Sequence, residues 1–350
     1  MKINKAQLTD LYTDYLISSV SYATSTEMSC LLDGHVSHDK ITRLLSSGYI
    51  NSRVLWYNSK PICEEIAADD AVLIFDDSVE AKPYSDKSSL INWHFDHTVG
   101  RSVKGVNFIT ALYHSWEMSI PVNVQFVQKD KTITDKTGKT KEVSSVSKME
   151  HYRSMLRDSA NKLRFRYVLN DSWFSSAENM RLVDDLDKYF IMAIKDNRKV
   201  ALTKADKLSG KYVSIKEAVS EECVRLVYIE QLEFPVLITK QVFKNGDGST
   251  GTLYLTGNDL GLTYEQMTTI YKKRWKVEEY HKSIKSNTAF PKSPAKTIVP
   301  QQSHFIASIM AYIKMERLKI RKGLNHFALK SLLLKKAAIT AWAELYSMAA

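Results

Sequence analysis

The segment Tyr271-Lys272-Lys273-Arg274-Trp275-Lys276-Val277-Glu278-Glu279-Tyr280-His281-Lys282-Ser283-Ile284-Lys285 holds the residue types that phosphodiester chemistry needs. Wound as a helix at about 100° per residue, it puts Tyr271 and Lys285 within about 20° of Glu278, and Arg274 and Lys282 within about 40°. One face therefore carries a carboxylate among an arginine, two lysines and a phenol. Ile270, Val277 and Ile284 form an adjoining apolar stripe able to dock on a sheet. Glu279 falls about 100° away from the cationic face. A solvated amphipathic helix has no reason to centre its acid among cations. A carboxylate that binds a divalent metal beside groups that hold a phosphate backbone does.

The charge of the chain points to the same partner. Its 350 residues carry a net +10, yet the distribution is uneven. From Ile270 to Ala350 there are 16 Lys and Arg against 4 Asp and Glu, which leaves 33 basic and 35 acidic residues in the first 269. A basic block of this kind favours a polyanion, DNA or RNA first among them. Cys30, Cys63 and Cys223 lie far apart without a C-x-x-C pair, which argues against a zinc ribbon or a disulfide scaffold and for small buried thiols. The start, Met-Lys-Ile-Asn-Lys-Ala, lacks a signal-peptide stretch, and the apolar run 305–313 is too short to span a bilayer. A cytoplasmic protein without a membrane partner is expected. No glycine-rich loop implies a nucleotide cofactor.

The elements that must position these groups follow from periodicity. Residues 1–68 read as a helical, DNA-binding domain. Within it, 26–45 resembles a helix-turn-helix: Met28, Leu31 and Leu32 form one stripe, Gly34 stops the first helix, Ser37 caps the second, and Ile41, Leu44 and Leu45 are its buried side. Lys40 and Arg43 are left outside, where a recognition helix would meet DNA. Strands are expected at 71–75, 106–113 and 120–127, with a polar loop or hairpin over 129–143. A helix over 148–163, a strand over 164–170, a helix over 175–189 and a strand over 190–194 complete the order of a ribonuclease H-like core. The fold class expected is α/β: a ribonuclease H-like mixed sheet at 69–196, a helical domain before it and a β-rich insertion at 197–262. In that insertion 224–229, 236–243 and 252–255 read as strands, with Asn245-Gly246-Asp247-Gly248 as a turn. One long helix over 263–286 should then carry Glu278, followed by basic helices to residue 350.

The spacing Y-x2-R-x3-E-x6-K, filled by Tyr271, Arg274, Glu278 and Lys285 with Trp275 after the arginine, resembles the signature of the DDE transposases of bacterial insertion sequences, the cut-and-paste group. Phe75-Asp76-Asp77-Ser78 resembles that family's first aspartate, and Val168-Leu169-Asn170-Asp171-Ser172-Trp173-Phe174 its second. The blocks Trp93-His94-Phe95-Asp96-His97 and Gly100-Arg101-Ser102-Val103-Lys104-Gly105 also look like these enzymes. The resemblance implies three catalytic, metal-binding carboxylates, Asp77, Asp171 and Glu278. They would hold Mg²⁺, with Mn²⁺ as a substitute, free a 3′-hydroxyl at the element's end and join it to the opposite strand or to target DNA. Tyr271, Arg274, Trp275, Lys282 and Lys285 would contact DNA, and the relatives imply a homodimer on paired ends. Ser78 stands where some relatives have Thr, and the 72 residues after Glu278 imply a reduced or replaced C-terminal dimerisation domain.

Each of these residues has a blander reading. Asp76 competes with Asp77, since alternate strand residues face opposite ways, and the following Ser78 favours Asp77. Asp171 could be a helix N-cap. His94, His97 and His281 are too spread for a metal cluster and read as core or DNA contacts. Trp275 and Trp173 read as core before stacking platforms. The alternatives to a transposase are a ribonuclease H-like nuclease without strand transfer and an inactive end-binding regulator.

Overall fold

The computed structural model describes residues 3–96, 99–134, 136–244 and 246–349; His97 and the turn residue Asn245 lie outside them. Four helices come first: α1 (Lys5–Ser18), α2 (Ser25–Leu31), α3 (His38–Ser46) and α4 (Ser52–Glu65). Side-chain caps start each of them. Asn4 and Gln7 form a capping box, and Thr24, Ser37 and Asn51 accept backbone N–H groups at the other three N-termini. Ile41, Leu44 and Leu45 bury one side of α3 as their spacing implies. In α2 only Met28 is buried; Leu31 is 63% exposed, so the expected stripe is narrower than its sequence suggests.

The sheet follows. β1 (Val72–Ala81), β2 (Asn92–Asp96), β3 (Arg101–Ser115) and β4 (Met118–Val127) are antiparallel neighbours, with β3 between β1 on one edge and β2 and β4 on the other. A separate hairpin, β5 (Lys131–Thr134) and β6 (Thr140–Val143), fills the polar stretch. After α5 (Lys148–Ala160), β7 (Tyr167–Asn170) lies parallel to β1; after α6 (Ala177–Asp185), β8 (Tyr189–Ile194) lies parallel to β7. The core order is therefore β4-β3-β1-β7-β8, an antiparallel meander continued by two parallel strands, which is the ribonuclease H-like arrangement.

Two short β-α units come next, β9 (Lys199–Val200) with α7 (Lys204–Leu208) and β10 (Val213–Ser214) with α8 (Ile215–Ala218). Then β11 (Val224–Val227), β12 (Val236–Lys244) and β13 (Thr250–Gly257) form a meander whose last strand pairs antiparallel with β8. The strands read as an insertion thus extend the core sheet and cover the edge β8 would otherwise leave open. Gly257 allows the close approach: a Cβ there would meet Phe190 O at 2.8 Å.

The expected long helix is two, α9 (Tyr264–Lys272) and α10 (Lys276–Asn287), joined by a 3₁₀ turn at Lys273–Trp275. α11 (Ile298–Lys322) runs beneath α1, α3 and α4, and α12 (His326–Ala349) ends the chain. No helix of the described residues is long and apolar enough to cross a membrane.

β1 differs most from expectation. It does not stop at Asp76 but pairs with β3 over its whole length, from Val72↔His114 to Ala81↔Gly105. A Cβ on Gly105 would sit 2.2 Å from Glu80 O, so the glycine is what lets the two strands close there.

Candidate active site

β1 and β7 run side by side in parallel, with Leu73↔Val168 and Ile74↔Leu169 in register. Two further residues along this register reach Asp76 on one strand and Asp171 just past the other. Residues in step on adjacent parallel strands point to the same face, so these carboxylates share the face of Ile74 and Leu169. Both pKa values are raised, and for Asp76 strongly. Burial is the first cause at each; at Asp76 the neighbouring Glu278 and Asp171 add to it.

Glu278 comes from α10, which packs across β1 on that same face. Asp76, Glu278 and His281 each offer a ligand atom within 4.8 Å of the other two. Arg274, on the 3₁₀ turn, bridges the acids: its guanidinium is 3.9 Å from Asp76 Oδ2 and 3.4 Å from Glu278 Oε1. Burial works against its charge, but Tyr271, Asp76, Glu278 and Asp171 outweigh it and hold the guanidinium protonated. His281 is buried edge-on against Phe108, with Nδ1 3.9 Å from Asp76 and Nε2 without a hydrogen-bond partner. Burial first, then Lys285 and Arg274, lower its pKa to about 3, so the ring is neutral and can offer a lone pair.

The two neighbouring aspartates face apart, and Asp76, not Asp77, is the one that lies beside Glu278. Asp77 points to the opposite face, where Phe75 meets Tyr152 of α5. Its Oδ2 accepts from Asn107 Nδ2 at 2.9 Å and from Lys148 Nζ at 2.5 Å. The hydroxyl of Ser78, two residues after Asp76 and on Asp76's face, accepts from Lys285 Nζ. The hydroxyl that favoured Asp77 in the sequence therefore belongs with Asp76.

Asp171 is not a helix cap, because Ser176 caps α6 and Asp171 Oδ1 instead accepts Trp173 N–H at 3.0 Å. Tyr271 is buried rather than open to a phosphate; its hydroxyl donates to Asn170 O, fixing the strand end that presents Asp171. Trp275 is 61% exposed, contrary to a core reading, and borders a groove of about 930 Å³ with Phe243. Lys282 leaves the carboxylates and lies over the Phe327 ring. Lys285 binds Ser78 and Val79 of β1. Lys40 donates to Ile3 O, and exposed Arg43 folds back on Asp39 O, both in the helical region far along the chain from the acids. His94 is buried on Asp77's face and His281 on the other, so the two histidines do not converge; burial, Lys129 and Lys148 take His94 down to about 4.

Sequence reasoning missed His281 as a partner of Asp76 and missed Lys148 altogether. The i, i+3 step from Glu278 to His281 was available as a signal for the first. Nothing local marks Lys148.

Among protein families, residues 5–212 match the one described as DDE superfamily endonuclease, and residues 129–314 match the transposase DDE domain. The chain belongs to the DDE superfamily. The two matches overlap over 129–212 and together take in Asp76, Asp171 and Glu278. Among solved structures this DDE chain is similar to that of a pre-cleavage Mos1 transpososome. The match has 11% identity over 54% of this chain and 59% of that one, with a TM-score of 0.19. A Mos1 transposase paired-end complex with the left transposon end is similar at 12% identity over 54% of this chain and 58% of that one, TM-score 0.20. The DDE chain thus spans less than two thirds of the Mos1 chains. No curated protein matches it.

The donor set suits a hard divalent cation: carboxylate oxygens of Asp76 and Glu278 lie within 4.8 Å of each other and of a ring nitrogen of His281, and Asp171 stands beside Asp76 on the neighbouring strand. A buried carboxylate whose pKa is raised by neighbouring acids, as at Asp76, is the environment such a cation relieves.

Proposed function

We propose that the chain is a transposase that cuts DNA at the ends of a mobile element and transfers the freed 3′ ends to new DNA. The observation that carries this reading is the meeting of Asp76, midway along β1, and Asp171, just past the end of the adjacent parallel β7, with Glu278 from a helix about a hundred residues further on. These three would hold Mg²⁺ or Mn²⁺, which when bound supplies activation of the attacking oxygen and charge stabilisation of the leaving one. Arg274 balances Asp76 and Glu278 and keeps further N–H donors for a phosphate oxygen. Tyr271 of α9 holds the Asn170 carbonyl and Lys285 of α10 holds β1, which ties both helices to the strands that carry the aspartates.

The excess of basic residues after Ile270 supports DNA as the partner. Exposed Trp275 supports contact with an unstacked base, and Arg43 of α3 supports contact with the element's ends. A homodimer is supported by α12, whose outer half exposes Ile339, Trp342, Leu345, Tyr346 and Met348.

The test is excision and integration from a donor plasmid carrying the reading frame with its own flanking DNA. Nicking and joining that both require Mg²⁺ support a transposase. Nicking with no joined product supports a hydrolytic nuclease, and neither product supports an end-binding regulator.

A further inference from the structure

One ammonium group touches both residues whose backbone holds the aspartates. Lys148, the first residue of α5, donates to Asp77 Oδ2 at 2.5 Å, and its Nζ stands 5.7 Å from the Trp173 ring centroid. The next link is the same on both sides. Asp77 N–H donates to Asp76 Oδ1 at 3.0 Å, and Trp173 N–H donates to Asp171 Oδ1 at 3.0 Å. Lys148 therefore stands one contact behind each carboxylate, through Asp77 next to Asp76 and through Trp173 two residues after Asp171, on the side away from Glu278. Its pairing with Asp77 is shielded, with both side chains about a quarter exposed or less, and Asn107 completes the coordination of Asp77.

A lysine in the first turn of a helix opposes the positive end of the helix dipole. The position gains nothing for α5 itself, so the contacts made by the ammonium are its evident use. The ion pair fixes the Asp77 side chain and with it the rotation of the Asp76–Asp77 peptide. The cation–π contact fixes the Trp173 ring and with it the turn that carries Asp171. We infer that Lys148 is a positioning residue that sets the spacing of Asp76 and Asp171 for a divalent cation.

This inference rests on the metal reading above, and the two can be separated by binding Mn²⁺ alone to the full chain, followed by the electron paramagnetic resonance signal of free Mn²⁺. Electrostatics and positioning predict opposite signs. Were Lys148 only a nearby positive charge, Lys148→Met would tighten Mn²⁺ binding, because a repelling cation is gone. As a positioning residue, its loss weakens Mn²⁺ binding by about tenfold, the usual effect of removing a group behind a metal ligand. Lys148→Arg, which keeps charge and reach, restores most of the affinity and shows that the loss is not misfolding. Asp77→Asn weakens binding as Lys148→Met does, and the double variant is no worse than either. Unchanged or tighter binding by Lys148→Met, with Asp76→Asn still abolishing binding, overturns the positioning role alone. Undiminished Mn²⁺ binding by Asp76→Asn overturns the metal reading and this inference with it.

Discussion

Lys285 and Ser78 are joined across the sheet–helix boundary: the ammonium donates to Ser78 Oγ at 3.0 Å and to Val79 O at 3.1 Å. The Glu80 carboxylate, further along the same strand, lies 3.9 Å from the same ammonium. The last residue of the Y-R-E-K spacing is thus a tie between the Glu278 helix and the Asp76 strand, seven residues from Glu278 and two from Asp76.

Lys285→Met is expected to lower stability by about 1–2 kcal/mol, the range for a charge-assisted hydrogen bond at a partly exposed site. Urea unfolding measures this directly. Unaltered stability with lost DNA binding would instead assign Lys285 to a phosphate.

Glu316 gives a pH prediction. It is buried between α11 and α12, accepting from Ser119 N–H at 2.9 Å and Lys319 Nζ at 2.8 Å, with His326 Nε2 at 3.0 Å. Burial alone would raise its pKa, but His326 and Lys319 outweigh it and hold the carboxyl below its ordinary 4.5. A carboxyl depressed in the folded state contributes stability above its unfolded pKa and loses it as pH falls through the folded value. Wild-type stability should therefore fall more steeply below about pH 4.5 than that of Glu316→Gln. At pH 7 the variant should be less stable by about 3–5 kcal/mol, since one partner of a buried pair is removed. Parallel pH curves for the two proteins would rule this out.

The outer half of α12 gives a third. A helix apolar over most of its circumference is normally covered. Trp342→Asp with Tyr346→Asp is expected to turn a dimer into a monomer, read by light scattering on a sizing column, with the helical content retained. A wild-type chain that is monomeric both free and on DNA would remove the dimer from the account.

How far the sequence could carry the reading depended on which contacts were local. The Glu278 helix was legible because its docking stripe recurs with the helix period, and Val277 and Ile284 are buried as that period requires, while Tyr271, read on the cationic face, is buried as well. The strand order was legible because the core strands are continuous apolar runs. β2 was not, because it is inverted: Asn92 and His94 are buried, while Trp93 and Phe95 are 53% exposed. The 3₁₀ turn at Lys273–Trp275 was hidden, since nothing in Lys-Arg-Trp breaks a helix. Alternation along β1 established that Asp76 and Asp77 face apart, but which face receives α10 is set by packing of residues two hundred positions later. The period of two also held the missed clue, because a hydroxyl at Ser78 lies on the face of Asp76 and not of Asp77.

The most direct test of the account is the pair Asp76→Asn and Asp77→Asn in Mg²⁺-dependent nicking of the element's own end DNA. Each deletes one negative charge with almost no change of shape. Asp76→Asn should abolish nicking and joining, by about a thousandfold or more, because a hard cation relies on the lost anionic oxygen. Asp77→Asn should cut more slowly, by about tenfold, through the weakened hold on its neighbours. Normal cutting by Asp76→Asn together with a dead Asp77→Asn would contradict the assignment of the site to the face of β1 that meets Glu278.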